Sequence, residues 1–119
     1  MNERMICIPI SAGQVGVTLG NTFRYYKAVV PMTIVGVECS PSADDAGLTL
    51  DINNVTQSTT PVSGMACDTK ATPGTWLSTH LGGTNTPATV AKNDVLSFDM
   101  NNAAADTDVN IHIFALVGE

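Results

Sequence analysis

Residues 109–116 read Val-Asn-Ile-His-Ile-Phe-Ala-Leu, and residues 48–54 read Leu-Thr-Leu-Asp-Ile-Asn-Asn. In the first run Val109, Ile111, Ile113 and Ala115 alternate with Asn110, His112, Phe114 and Leu116. In the second, Leu48, Leu50 and Ile52 alternate with Thr49, Asp51 and Asn53. A period of two puts every second side chain on one face, which suits a half-buried strand and not a helix. Other stretches follow the same rule. Leu96, Phe98 and Met100 share one face of Val95–Met100, and Ile6, Ile8 and Ile10 one face of Met5–Ile10. Val35, Val37 and Cys39 share one face of Thr33–Cys39. Weaker extended runs are read at Val15–Val17, Tyr26–Val30, Val62–Cys67 and Trp76–Leu81. Ser40–Gly47, Thr84–Thr89 and Asn101–Asp108 read as loops, and Ala103-Ala104-Ala105 is too short to nucleate a helix.

Composition points the same way. The chain has 119 residues, among them fifteen Thr, nine Asn and ten Gly. β-branched residues suit a pleated surface, and Asn, Gly, Asp and Pro suit turns. This length is that of one domain, 1–119. About eight short strands separated by turns predict an all-β fold: a single-domain antiparallel β-sandwich, jelly-roll-like. The first ten residues have two readings, an N-terminal arm added as a strand to a neighbour or the first strand of the chain's own sandwich.

Charge narrows the choice of function. Only 13% of residues are charged, and the net charge is −6. Few cations are available to replace phosphate counterions, so neither nucleic acid nor an anionic membrane is an expected partner. No apolar run approaches the roughly 18 residues of a membrane span. Met1–Ile10 is interrupted by Pro9 and too brief for a signal peptide, so synthesis without secretion is expected. Cys7, Cys39 and Cys67 are odd in number and lack C-x-x-C spacing; three buried or half-buried thiols are expected.

Little in the sequence carries reaction chemistry. His80 and His112 are the only histidines, and no nucleophile–base or metal-binding motif accompanies them. Gly82-Gly83 lacks the strand and helix of a phosphate loop. Asp44, Asp45, Asp94, Asp99, Asp106 and Asp108 lie in or beside turns, where Asp bonds its own backbone; convergence on calcium is the alternative. Trp76, Tyr25 and Tyr26 could make a sugar platform, but aromatics are only 5% of the chain, and Trp76 reads better as a core or interface anchor. Asn54-Val55-Thr56 fits the glycosylation sequon, a chance match in so Thr-rich a chain.

Tyr25–Cys39 (YYKAVVPMTIVGVEC), Leu48–Asn54 (LTLDINN) and Val90–Ala115 (VAKNDVLSFDMNNAAADTDVNIHIFA) together resemble a β-sandwich module of tailed-bacteriophage virion proteins. That module has a TIVGV strand, a small-residue loop, an L-x-x-D-[IV]-N strand, a later G/N-D-x-L-x-x-D strand and a closing amphipathic strand. The chain departs from it after Asn53, where a Lys-Asn-Gly hairpin is replaced by Asn54-Val55-Thr56, and over Gln57–Gly83, which has no counterpart. The resemblance implies a non-enzymatic virion structural protein without cofactor, metal or small-molecule substrate. In a free-standing domain of this size it implies a capsid decoration (cement) protein. The implied state is a homotrimer on the outer capsid surface, bound to the major capsid protein and made in the host bacterial cytoplasm. The alternative it leaves is a tail-fibre or receptor-binding module for host glycans. Arg4, Ile6, Ile8, Ile10 and Trp76 are the expected capsid or subunit contacts.

Overall fold

The structure, a computed structural model, describes residues 4–15, 22–70, 75–77, 87–101 and 107–118. Nine strands lie among them: β1 (Arg4–Val15), β2 (Thr22–Lys27), β3 (Met32–Pro41), β4 (Thr49–Asn54), β5 (Thr59–Ala66), β6 (Thr75–Trp76), β7 (Ala88–Val90), β8 (Val95–Asn101) and β9 (Thr107–Val117). They form two antiparallel sheets. One is ordered β1-β9-β3-β6, with β7 also on β3; the other is ordered β2-β8-β4-β5. The chain passes back and forth between the sheets, except that β4 and β5 are neighbours in the second and β6 and β7 both lie on β3 in the first; this is the two-sheet winding of a jelly roll. The all-β sandwich expected from the alternation is the observed fold.

The alternation builds the core row by row. In the first sheet Ile6 pairs with Ala115 and Ala115 with Ile34, Ile8 with Ile113 and Ile113 with Val37, Ile10 with Ile111 and Ile111 with Cys39. In the second, Leu50 and Ile52 of β4 pair with Met100 and Phe98 of β8. Phe98, Leu50, Ile52, Ile111 and Ile113 are fully buried between the sheets. Removing so much apolar surface from water is the main stabilising term of the fold.

Four local readings are corrected. Val35 does not share the face of Val37 and Cys39. Ile34 pairs with Ala115 and Gly36 with Phe114, so Val35 is the extra residue of a β-bulge. The bulge resets the phase of β3, and Ile34 and Val37 both reach the core while Val35 lies outside it. Val15 belongs to β1, not to a second short strand. Tyr26–Val30 is not one strand, because β2 ends at Lys27 and Val29 and Val30 are exposed. Thr89, read as loop, lies in β7.

The Trp76 region shows why β7 was hidden. Thr75 and Trp76 pair with Val37 and Gly36, the Leu77 amide donates to the Val35 carbonyl (2.9 Å), and Ala88–Val90 pair with Ile34, Thr33 and Met32. Thr75–Leu77 and Ala88–Val90 therefore lie one after the other along the same edge of β3. Expectations for His80, Gly82-Gly83, Ala103–Ala105 and Asp106 fall outside the described residues.

The cysteine expectation is also corrected. Cys39 in β3 and Cys67 just after β5 are disulfide-bonded, with Cα atoms 5.8 Å apart, and Cys7 is free and exposed. Spacing alone cannot reveal this bond, because it joins strands of opposite sheets 28 residues apart. Closing a loop of that length removes unfolded-state entropy worth roughly 3–4 kcal/mol. Intact mass without reductant should show one disulfide and one alkylatable thiol. Cys39→Ser/Cys67→Ser should unfold at lower denaturant, by about that free energy. Three alkylatable thiols in the native protein would contradict the link.

Candidate interaction surface

A buried carboxylate organises one end of the sandwich. Asp94 follows the β7–β8 turn and is almost fully buried. Its Oδ2 accepts from Asn54 Nδ2 (3.0 Å) and the Ala91 amide (2.9 Å), and its Oδ1 from Gln57 Nε2 (3.0 Å). Asn54 occupies an inward position at the end of β4, and its Oδ1 in turn accepts from the Gln57 amide (3.0 Å). The Asp94 carbonyl accepts from the Ala28 amide (2.9 Å), and the Asn93 amide donates to the Ala28 carbonyl (2.7 Å). Asn93 and Ser58 adopt positive φ, 75° and 57°, at the two turns this set joins; Asn tolerates that region better than most residues. The Asp94 side chain thus ties the β4–β5 turn to the β7–β8 turn, and the backbone of Asn93 and Asp94 holds the residue after β2. The Asn54 amide, the Ala91 N–H and the Gln57 amide, in that order, hold the Asp94 carboxyl below its ordinary 3.8, against the opposing effect of burial.

The outer face of the second sheet carries a further polar ladder. Asp51 and Asp99 lie opposite each other on β4 and β8. Asn101 Nδ2 donates to Asp51 Oδ2 (3.0 Å), the Gly64 amide to Asp51 Oδ1 (2.6 Å), and Asn53 Nδ2 to Asp99 Oδ2 (2.9 Å). These bonds supply an attraction that two like charges placed face to face lack. Gly64 has φ +65°, so its backbone conformation favours glycine. Tyr25, two-thirds exposed, pairs with Ser97 at the edge of this face.

On the outer face of the first sheet, His112 Nδ1 lies 2.9 Å from Glu38 Oε1, an exposed cross-strand pair. Cys7, on the neighbouring strand, pairs with Phe114 rather than with His112. Among the described residues no group of three His, Cys, Asp or Glu side chains is placed to hold a metal ion. No described helix is long and apolar enough to cross a membrane.

Of the expected contact residues, Arg4, Ile6, Ile8 and Ile10 alternate along β1. Arg4 is exposed at the start of β1, opposite Val117. Ile6, Ile8 and Ile10 point inward, half-buried against the core. Trp76 pairs with Gly36 through its backbone, and its side chain is outside the described set. Residues 4–15 are the first strand of the chain's own sheet, which is one of the two readings of the N-terminus. The edge they form is guarded against strand addition. Pro9 has no N–H to offer a neighbour, Arg24 Nε occupies the Ser11 carbonyl (2.9 Å), and the register shifts between Ser11 and Gly13. The second sheet's β5 edge carries Pro61 and two register shifts.

The sequence reading missed the Asp94 cluster because Asp in a turn is commonplace. The spacing Asn54…Gln57 and the Asn93-Asp94 pair were visible, but their meeting required β4 and β8 to be neighbours.

No family model matches the chain, and no curated protein matches it. Among solved structures, a chain of the cyanophage Pam1 capsid asymmetric unit is similar at TM-score 0.56 and 18% identity. The match covers 98% of this chain and 86% of that one. At that identity it shows a shared fold, held over nearly the whole of two chains of similar length.

Asp94 supports stability in a defined pH window. Its folded-state pKa is depressed, so its contribution is present above the unfolded value and fades as pH falls through the lower, folded value. Asp94→Asn should therefore melt below wild type at neutral pH, and the gap should narrow as pH falls below 3.8. An equal gap at neutral and strongly acidic pH in thermal melts would contradict the cluster's role.

Proposed function

We propose that the chain is a non-enzymatic structural protein of a phage virion, a decoration protein bound to the major capsid protein on the outside of the head. The observation that carries this reading is the end-to-end likeness to a similarly sized chain of a cyanophage capsid. The resemblance of its strand and turn motifs to phage virion modules supports it independently.

Decoration works by multivalency. Three copies joined as a trimer turn the second and third capsid contacts into intramolecular events, so modest single contacts give long residence. A domain this small also gains stability by burying surface against its copies. Bridging neighbouring shell subunits then resists their separation. If the chain is made in a reducing cytoplasm, the Cys39–Cys67 bond closes after the particle reaches an oxidising medium.

A second reading is a fibre or receptor-binding module for host glycans. The exposed Tyr25, opposite Ser97 on the outer face that also carries the Asn53–Asp99 and Asp51–Asn101 bonds, favours it, because an aromatic ring on a face with fixed amides and carboxylates suits a sugar.

Copy number separates the two. Quantitative mass spectrometry of purified particles should find this chain in numbers comparable to the major shell protein. A handful of copies per particle would move it to the tail and favour glycan binding; absence from particles would remove the virion role.

A further inference from the structure

We propose that the chain docks through the end of the sandwich that carries the β2–β3, β4–β5 and β7–β8 turns, and that its partner there is an acidic protein surface with an apolar centre. Resting on the decoration reading, this partner is the outer face of the capsid shell.

Three observations meet at this end. The first is apolar exposure. Val29 and Val30 in the β2–β3 turn are 68% and 43% exposed, and Val55 in the β4–β5 turn is 50% exposed. Exposed β-branched side chains on turn tips gain nothing in water and are suited to burial against a partner. They are also stiff about χ1, so little freedom is lost when they are covered.

The second is charge. The chain has five Lys and Arg residues against eleven acids. Three of the five, Arg4, Lys27 and Lys92, are exposed at this end. Arg4 lies opposite Val117 at the sheet terminus, Lys27 pairs with Val95 at the start of β8, and Lys92 is in the β7–β8 turn. Among the described residues none of them pairs with a carboxylate; Glu3 and Glu119, near the chain ends, are outside that set. The described acid at this end, Asp94, is buried and fully engaged. Asp44, Asp68 and Asp108 lie at the opposite end, near Lys70. A molecule with net charge −6 that gathers its cations around apolar tips complements an acidic surface, and the same acids at its far end disfavour docking there.

The third is rigidity. The Ala28 amide is bonded to the Asp94 carbonyl and the Val55 amide to the Val95 carbonyl (2.9 Å each). The valines on both turns are therefore anchored to the first residues of β8. The Asp94 cluster thus presents the tip ready-made, and binding need not order it. The guarded β1 and β5 edges leave fewer competing ways to associate.

The test is loading onto purified particles that lack this chain. Wild type is compared with Val29→Ser/Val55→Ser, with Lys27→Glu/Lys92→Glu, and with Tyr25→Ser on the sheet face, each first matched to wild type by melting temperature. Both tip variants should load about tenfold or more weakly, and Tyr25→Ser like wild type. Undiminished loading of the tip variants overturns the docking end alone. Failure of wild type to load overturns the decoration reading itself. A parallel arm uses vesicles of phosphatidylglycerol and phosphatidylcholine. Tip-dependent binding to vesicles with tip-independent loading of particles would assign this end to an anionic lipid and overturn the protein partner.

Discussion

The buried Asp94 carboxylate is the constraint on which one end of this sandwich depends. A jelly roll places its two sheets face to face, and here apolar burial and the Cys39–Cys67 disulfide hold them together. Its turns are where backbone groups risk going unpaired. Here a single carboxylate accepts from the Asn54 and Gln57 side chains and from the Ala91 amide, while its own carbonyl takes the Ala28 amide. Three separate turns are held in one arrangement by one residue. Burying such a charge is tolerable because its donors are in place; removing it strands them.

The two ends of the molecule therefore differ in kind. At the Asp94 end Asp94 and Asn54 face inward and bond each other, and Val29, Val30, Val55 and the cations face outward. At the other end Asp44 and Asp108 are exposed while Asp45 is buried; Asp44 Oδ1 accepts from the Lys70 amide, and Ser42 Oγ from the Asp108 amide. Between them the outer face of the second sheet carries the Asp51–Asn101 and Asn53–Asp99 bonds, while that of the first sets the Glu38–His112 pair among the exposed Met5 and Cys7 and the half-buried Phe114 and Leu116. The sheet edges at β1 and β5 are interrupted by Pro9 and Pro61. With the β1 and β5 edges interrupted and one turn end both apolar and basic, the proposed docking stands the sandwich on that end.

The parts of the fold that were legible share one property: each strand keeps its phase. β4, β8 and β9 alternate without interruption, and their buried residues were identified correctly. β3 was half legible, because Val35 bulges and the phase changes in mid-strand, an event decided by the pairing with β9 rather than by the residues of β3. β6 and β7 were illegible as one edge, since each is short and the segment between them contains two glycines and a proline. Val29 and Val30 looked like strand because they are apolar and β-branched; the hydrogen bonds of Ala28 to the Asp94 turn end the strand before them. The disulfide and the Asp94 cluster depend on contacts between distant segments, and a spacing rule has no access to those. Ile6, Ile8 and Ile10 alternate on β1 and are half-buried against the core.

An electron cryomicroscopy map of the intact particle, at a resolution that distinguishes the sandwich's ends, tests the account most directly. It should show this chain on the outer shell surface, with the β2–β3, β4–β5 and β7–β8 turns directed at the shell and the Asp44 end directed at solvent. A sandwich lying on a sheet face, or standing on its acidic end, would contradict the account.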